Sequence, residues 1–236
     1  MKKALLLLFA ASVMAATPAH AQRDFLLGFT GFDYVIPHPS PSGLAYSANS
    51  ANAVPFLNTG DGYASVGFVT QFSTLFIGSY DPNAEHTYHL YNATVQNSAF
   101  SSNVLEVQFA SHARIRVFED NIHNAVYGVN PTNPTAPSTF IDGNLLLGAD
   151  VNGLTLTYDY DANQGGIDGG ATLDEGADLF LISPGRRSGW VLSGQAGRPN
   201  ATVPAGYTNQ LSGEMQIPGV TPAAHKSWGS LKALYR

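Results

Sequence analysis

The residues best placed by type and spacing to do chemistry lie in "DYDANQGGIDGGATLDEGAD", from Asp159 to Asp178. The stretch carries Asp159, Asp161, Asp168, Asp174, Glu175 and Asp178. A hard cation such as calcium takes about six to eight oxygen ligands, and carboxylates alternating at the head of a Gly-rich turn supply several of them. The opening "DYDAN" matches the D-x-D-x-N start of an EF-hand loop. The second half departs from it: Gln164 stands where that loop needs Gly, and Gly170 where it needs a bidentate Glu. The pattern therefore predicts a looser calcium site built from Asp159, Asp161, Asn163 and Asp168. The plainer reading is that Asp159 and Asp161 lie on the wet face of a strand and the rest solubilises a turn, since Asp and Gly are what turns use.

Other constellations select less. Beyond residue 21 the histidines are His38, His86, His89, His112, His123 and His225. The motif "HTYH" sets His86 and His89 three apart, which places them on opposite faces of a strand. A zinc site would need a further histidine to converge from elsewhere, and no H-E-x-x-H is present. No G-x-S-x-G elbow occurs either, and two acids on a β scaffold are too common to specify a glycosidase. Aromatics are plentiful, among them Phe29, Tyr34, Tyr88, Tyr91, Tyr158, Tyr160, Trp190 and Tyr207. Exposed on a sheet they would stack on sugar rings. Because they alternate with polar residues, the pattern assigns them to a core, with Trp190 as an anchor.

The elements that must position these groups are strands. Short alternating runs are separated by Gly, Pro, Asn, Asp and Ser, as in antiparallel β structure with tight turns. In "GLTLTYDYD", Leu154, Leu156, Tyr158 and Tyr160 share one face, while Thr155, Thr157, Asp159 and Asp161 share the other. In "ARIRVF", Ile115 and Val117 oppose Arg114 and Arg116, whose expected role is to pair with acids across neighbouring strands. The Pro-rich runs "IPHPSPSG" and "NPTNPTAPS" cannot donate to a ladder and read as loops or edge coverings. A membrane-spanning barrel would want strands of roughly 9 to 11 residues with an apolar outer band. The runs read as shorter and Pro-broken, so the sequence favours about ten strands in a sandwich or jelly roll.

Composition bounds the setting. The first residues, "MKKALLLLFAASVMAATPAHAQ", place Lys2 and Lys3 before an apolar run that ends in Ala19-His20-Ala21, the form of a secretory signal peptide cleaved before Gln22. There is no cysteine, so a packed core rather than disulfides must hold the fold. Between Gln22 and Ala224 six arginines and no lysine face 17 acids, a formal charge of −11. Nucleic acid and anionic membrane, which need clustered cations, are thereby disfavoured as partners.

The runs "GNLLLGADVNGLTLTYDYDANQGG" and "GWVLSGQAGRPNATVPAGYTNQLSGEMQ" resemble bodies of bacterial exported β-sandwich proteins of the PEP-CTERM type. The resemblance is one of style between Gly143 and Gln216. It implies an exported sandwich and brings no functional residue. The chain carries no V-P-E-P peptide, terminal apolar span or basic stop, so that group's sorting is not expected.

The last residues, "HKSWGSLKALYR", hold every lysine beyond residue 21. Read as a helix capped by Ser227, they set Trp228, Leu231 and Tyr235 on one face with Lys232 and Arg236 a turn apart. So short a helix must dock to be ordered. It either closes the fold or serves as a recognition peptide through Trp228, Leu231, Lys232, Tyr235 and Arg236. The expectation as a whole is an all-β protein: a signal peptide over 1–21, one antiparallel β-sandwich or jelly-roll domain over 22–220, and a linker with a short C-terminal helix over 221–236. It is exported to the periplasm, cell surface or extracellular space, has no transmembrane span after cleavage, and acts by surface binding or as a structural part, with a glycan or an envelope protein as partner. A calcium-assisted carbohydrate-binding module and a secreted hydrolase are the alternatives. No cofactor is expected beyond that calcium.

Overall fold

Period-two runs of aliphatic and aromatic residues become nine strands. They are β1 (Asp24–Ile36), β2 (Gly62–Phe72), β3 (Glu85–Ser101), β4 (Val104–Phe109), β5 (Ala113–Asp120), β6 (Asn144–Asp159), β7 (Gln164–Glu175), β8 (Trp190–Gly197) and β9 (Gln210–Ile217). The computed structural model describes residues 24–38, 57–76, 78–127, 138–197, 203–204 and 206–217. Phe25–Ile217 forms one unit. The tail with its expected helix, the leader and most of both Pro-rich runs lie outside the described residues.

The chain is all-β, with no helix of seven or more residues among those described. The strands close into an antiparallel barrel of eight staves rather than the expected sandwich or jelly roll. Apart from β4 and β5, each strand pairs with the next, and β9 returns to pair with β1. The ninth strand is accounted for by β4 and β5, which share one stave end to end. Between β3 and β6, β4 pairs with their 95–101 and 155–159 halves, and β5 with their 85–91 and 144–151 halves.

Three local expectations are corrected. The strands are longer than the sequence suggested, because bulges bend them where a break was expected: "GNLLLGADV" and "GLTLTYD" join through a register shift at Asn152/Thr155, with Gly153 at φ 62°. The Gly-rich acidic segment, expected as a turn, is mostly strand β7, with Ile167, Ala171 and Leu173 inside. Neighbours on both sides supply the hydrogen bonds and packing that glycine lacks by propensity. By its sequence the run "ADLFLIS" reads as a further strand; its Ala177–Leu181 part is a 3-10 turn.

The barrel interior is apolar and filled by side chains, including Leu26, Phe29, Tyr88, Leu105, Ile115, Leu156, Ile167, Trp190 and Met215. A gap of ≈ 10 Å³ among Leu27, Ile115, Leu147, Leu173 and Met215 is too small and too apolar to hold water. On β4, β6 and β7 the outer face is polar, with Glu106, Gln108, Thr155, Thr157, Asp168, Thr172 and Asp174 exposed. That inverts the apolar outer band of a lipid-facing barrel. Over 33–35 of β1 and 63–67 of β2 both faces are buried. Segments 125–127, 138–140, 203–204 and 206–207 lay Tyr127, Phe140 and Tyr207 over Phe32, Tyr34, Val66 and Phe68 to form a second apolar cluster.

Candidate functional site

The site assembles from register. Opposite one another across β6, β7, β8 and β9 stand Thr157, Gly166, Gln195 and Ser212, and one pleat further on stand Asp159, Gln164, Gly197 and Gln210. Both rows lie on the outer face, because the residues between them, Tyr158, Ala196 and Leu211, are turned into the core. The first row continues onto β1 through Ser212 Oγ, 2.9 Å from Thr30 Oγ1. Together the rows line a groove of ≈ 540 Å³, within the usual range for a ligand site, about 300 to 1,000 Å³. Its lining offers three amides, two hydroxyls and one carboxylate, with no Lys, Arg or His among the described residues.

Of the four residues expected to hold calcium, only Asp159 lines this groove. Its Oδ1 accepts the backbone N–H groups of Asp161 and Ala162 at 2.8 and 3.0 Å, shaping the β6–β7 turn. Asp161 accepts both of its bonds, at 3.0 and 3.2 Å, from the Asn103 amide on the β3–β4 turn. The Asn163 amide oxygen receives the Tyr158 hydroxyl at 2.7 Å. Asp168 stands further along β7, in register with Thr155 and Ser193. Among the described residues no three His, Asp or Glu side chains gather as a metal-holding group. Trp228, Leu231, Lys232, Tyr235 and Arg236 lie outside the described residues.

The two arginines of β5 pair as expected, reaching past β6 to do so. Arg114 grips Asp174 with bonds of 2.6 and 2.9 Å and also touches Glu175; Arg116 binds Glu175 at 2.8 and 3.1 Å. Arg116, Gly148 and Glu175 form one cross-strand row. A Cβ on Gly148 would come within 2.4 Å of Glu175 Cγ, so the missing side chain is what lets the acid lie over β6. Beside this network His89 stacks on Tyr91, ring centroids 4.7 Å apart, and Arg116 covers the other ring. Burial and the Arg116 charge push His89 down to about 4. His86 turns the other way, to Phe72, Tyr80 and Glu119, so the pair takes opposite faces.

A buried carboxylate went unnoticed in the sequence. Asp33 on β1 is fully buried and holds the chain entering β9. It accepts from Tyr63 Oη at 2.9 Å, the Asn209 backbone N–H at 2.6 Å, Asn209 Nδ2 at 3.2 Å and the Thr208 hydroxyl. Burial raises its pKa, outweighing the four bonds that act to lower it. These bonds run to Tyr63 on β2 and to Thr208 and Asn209 just ahead of β9, so Asp33 is a clasp closing β9 onto β1.

Sequence reading also missed the groove. Gln164, Gln195 and Gln210 are each in an outward strand position, which alternation shows, but what gathers them is register between strands, which it does not. Set against known protein families, curated proteins and solved structures, the chain matches none. Fold and site therefore define the molecule by architecture: a closed antiparallel β-barrel with a packed apolar interior, a polar outer face over β4, β6 and β7, and a polar groove rich in amides and hydroxyls across β6–β9.

Proposed function

We propose that this chain is an exported, non-enzymatic β-barrel protein of the cell envelope or extracellular space that works by binding at its outer surface, with the β6–β9 groove as the binding face. The observation that carries this reading is the groove itself. The interior is packed, so a ligand must be taken from outside, and the cross-strand rows present hydrogen-bonding side chains on a rigid sheet. Cleavage of a glycoside would ask for two carboxyl groups flanking the bond, whereas the described lining supplies Asp159 alone. The leader over residues 1–21 supports export.

Cell fractionation of the full chain beside a form lacking residues 2–21 tests export. The full chain is expected outside the cytoplasm and the shortened form within it; recovery of both in the cytoplasm would refute the assignment. Calcium assistance is the second reading, favoured by Asp159, which belongs both to the groove and to the cation set. Because Asp159, Asp161 and Asn163 already hold the turn, the expected melting temperature is the same in calcium and in chelator. A clear rise with calcium would restore the cation.

A further inference from the structure

We propose that the groove takes a neutral, hydroxyl-rich chain, a glycan laid across strands β6 to β9; this rests on the reading of the groove as the binding face. Two independent observations lead there. The first is the chemistry of the lining. Gln164, Gln195 and Gln210 each offer two N–H donors and a carbonyl acceptor, and Thr157 and Ser212 each both donate and accept. Sugar hydroxyls, which also do both, match such a surface. An anionic ligand would meet Asp159 with no cation among the described residues to balance it. An apolar ligand would want apolar or aromatic walls, and a peptide strand would want an open sheet edge, whereas each of these four strands has a partner on both sides.

The second is a pair of glycines that the fold does not require. At Gly166 and Gly197 a Cβ would meet nothing closer than 3.7 Å, and neither has a positive φ. Elsewhere the sheet shows what a demanded glycine looks like: at Gly213 a Cβ would lie 2.2 Å from the Ser193 carbonyl oxygen. Glycine weakens a strand interior by its backbone entropy, and at 166 and 197 packing gives nothing in return. What these positions do is leave the floor of the groove open between the amides. Neighbouring strands lie about 4.8 Å apart, close to the length of one hexose unit. Successive rings along the row can therefore meet equivalent polar groups on successive strands. With hydrogen bonds and no stacking ring among the described lining residues, the binding is weak.

The test uses the full chain and its Gly166→Val variant in affinity electrophoresis through gels containing neutral polysaccharides (mixed-linkage glucan, starch, mannan, xylan, galactan) or acidic ones (alginate, polygalacturonate), with a denatured-protein gel as peptide control. Retardation is expected in at least one neutral gel. Gly166→Val is expected to weaken it at least tenfold while melting at or above the temperature of the parent, because the added side chain fills the groove and favours the strand. Gln195→Ala, an exposed change, gives a second reading of the same loss. Retardation only in acidic or peptide gels, abolished by Gly166→Val, would overturn the neutral glycan and leave the groove as the binding face. Retardation indifferent to Gly166→Val and Gln195→Ala, or none in any gel, would overturn both.

Discussion

Replacing Asp33 with alanine is the sharpest probe of how the barrel closes. The change removes the acceptor of four hydrogen bonds; the Tyr63 hydroxyl and both Asn209 donors then face a fully buried gap, while the Thr208 hydroxyl keeps its bond to the Asp33 backbone carbonyl at 3.2 Å. Each buried donor left unpaired costs about 1–3 kcal/mol. Relief of a desolvated charge, and local adjustment of the hydroxyls, offset part of the sum, as with other buried ionic groups, where losing a partner costs about 3–5 kcal/mol. The expected loss is in that range, about 3–5 kcal/mol by urea denaturation, and at about 2–4 °C per kcal/mol for a domain of this size it lowers the melting temperature by about 6–20 °C. The sign of the pH dependence follows from the raised pKa. The folded state holds the Asp33 proton more tightly than the unfolded chain, whose value is near 3.8, so this group's contribution to stability is full below 3.8 and declines as pH rises toward the folded value. Asp33→Asn keeps the shape without the titration, so the stability gap between parent and Asp33→Asn should narrow from pH 4 to pH 7. A cost below about 1 kcal/mol for Asp33→Ala, or a gap that widens with pH, would show that the clasp does not hold β9 to β1.

Gly31→Ala should lose at least about 2 kcal/mol by chemical denaturation, because the new Cβ would lie 2.1 Å from the Val66 carbonyl oxygen and 2.7 Å from the Tyr88 hydroxyl; an unchanged midpoint would contradict the close approach of β1 and β2. The His89 imidazole should stay neutral in NMR titration until pH approaches about 4. With its folded pKa below the unfolded value of 6.5, it contributes stability above pH 6.5 that is lost as pH falls through about 4, and Arg116→Gln should move its midpoint upward. Glu175→Gln should cost no more than about 1 kcal/mol at low salt and less at high salt, since the arginine network is only partly buried. A large, salt-independent cost would mean that the network does more than tie β5 to β7.

The sequence by itself determined that the body is β and which way its side chains face. Leu154, Leu156 and Tyr158 are inside and Thr155 and Thr157 outside, as their alternation requires, and Trp190 is 1 % exposed. The facing of His86 against His89 and the acid pairing of Arg114 and Arg116 were legible for the same reason: a two-residue period is a local property of the chain. What it could not distinguish is a sandwich from a barrel, because the inner face of either carries the same alternation. Closure depends on β9 meeting β1, and its clasp joins Asp33 to Thr208, 175 residues apart. Strand length was misjudged where Gly153 and the nearby bulge allow bending without a break. The groove was hidden for a similar reason. Thr157, Gly166, Gln195 and Ser212 become one row only when four strands are set in register, and register is fixed by packing and turns across the whole sheet. The tertiary structure alone turned four separate outward residues into a surface on which a ligand can lie.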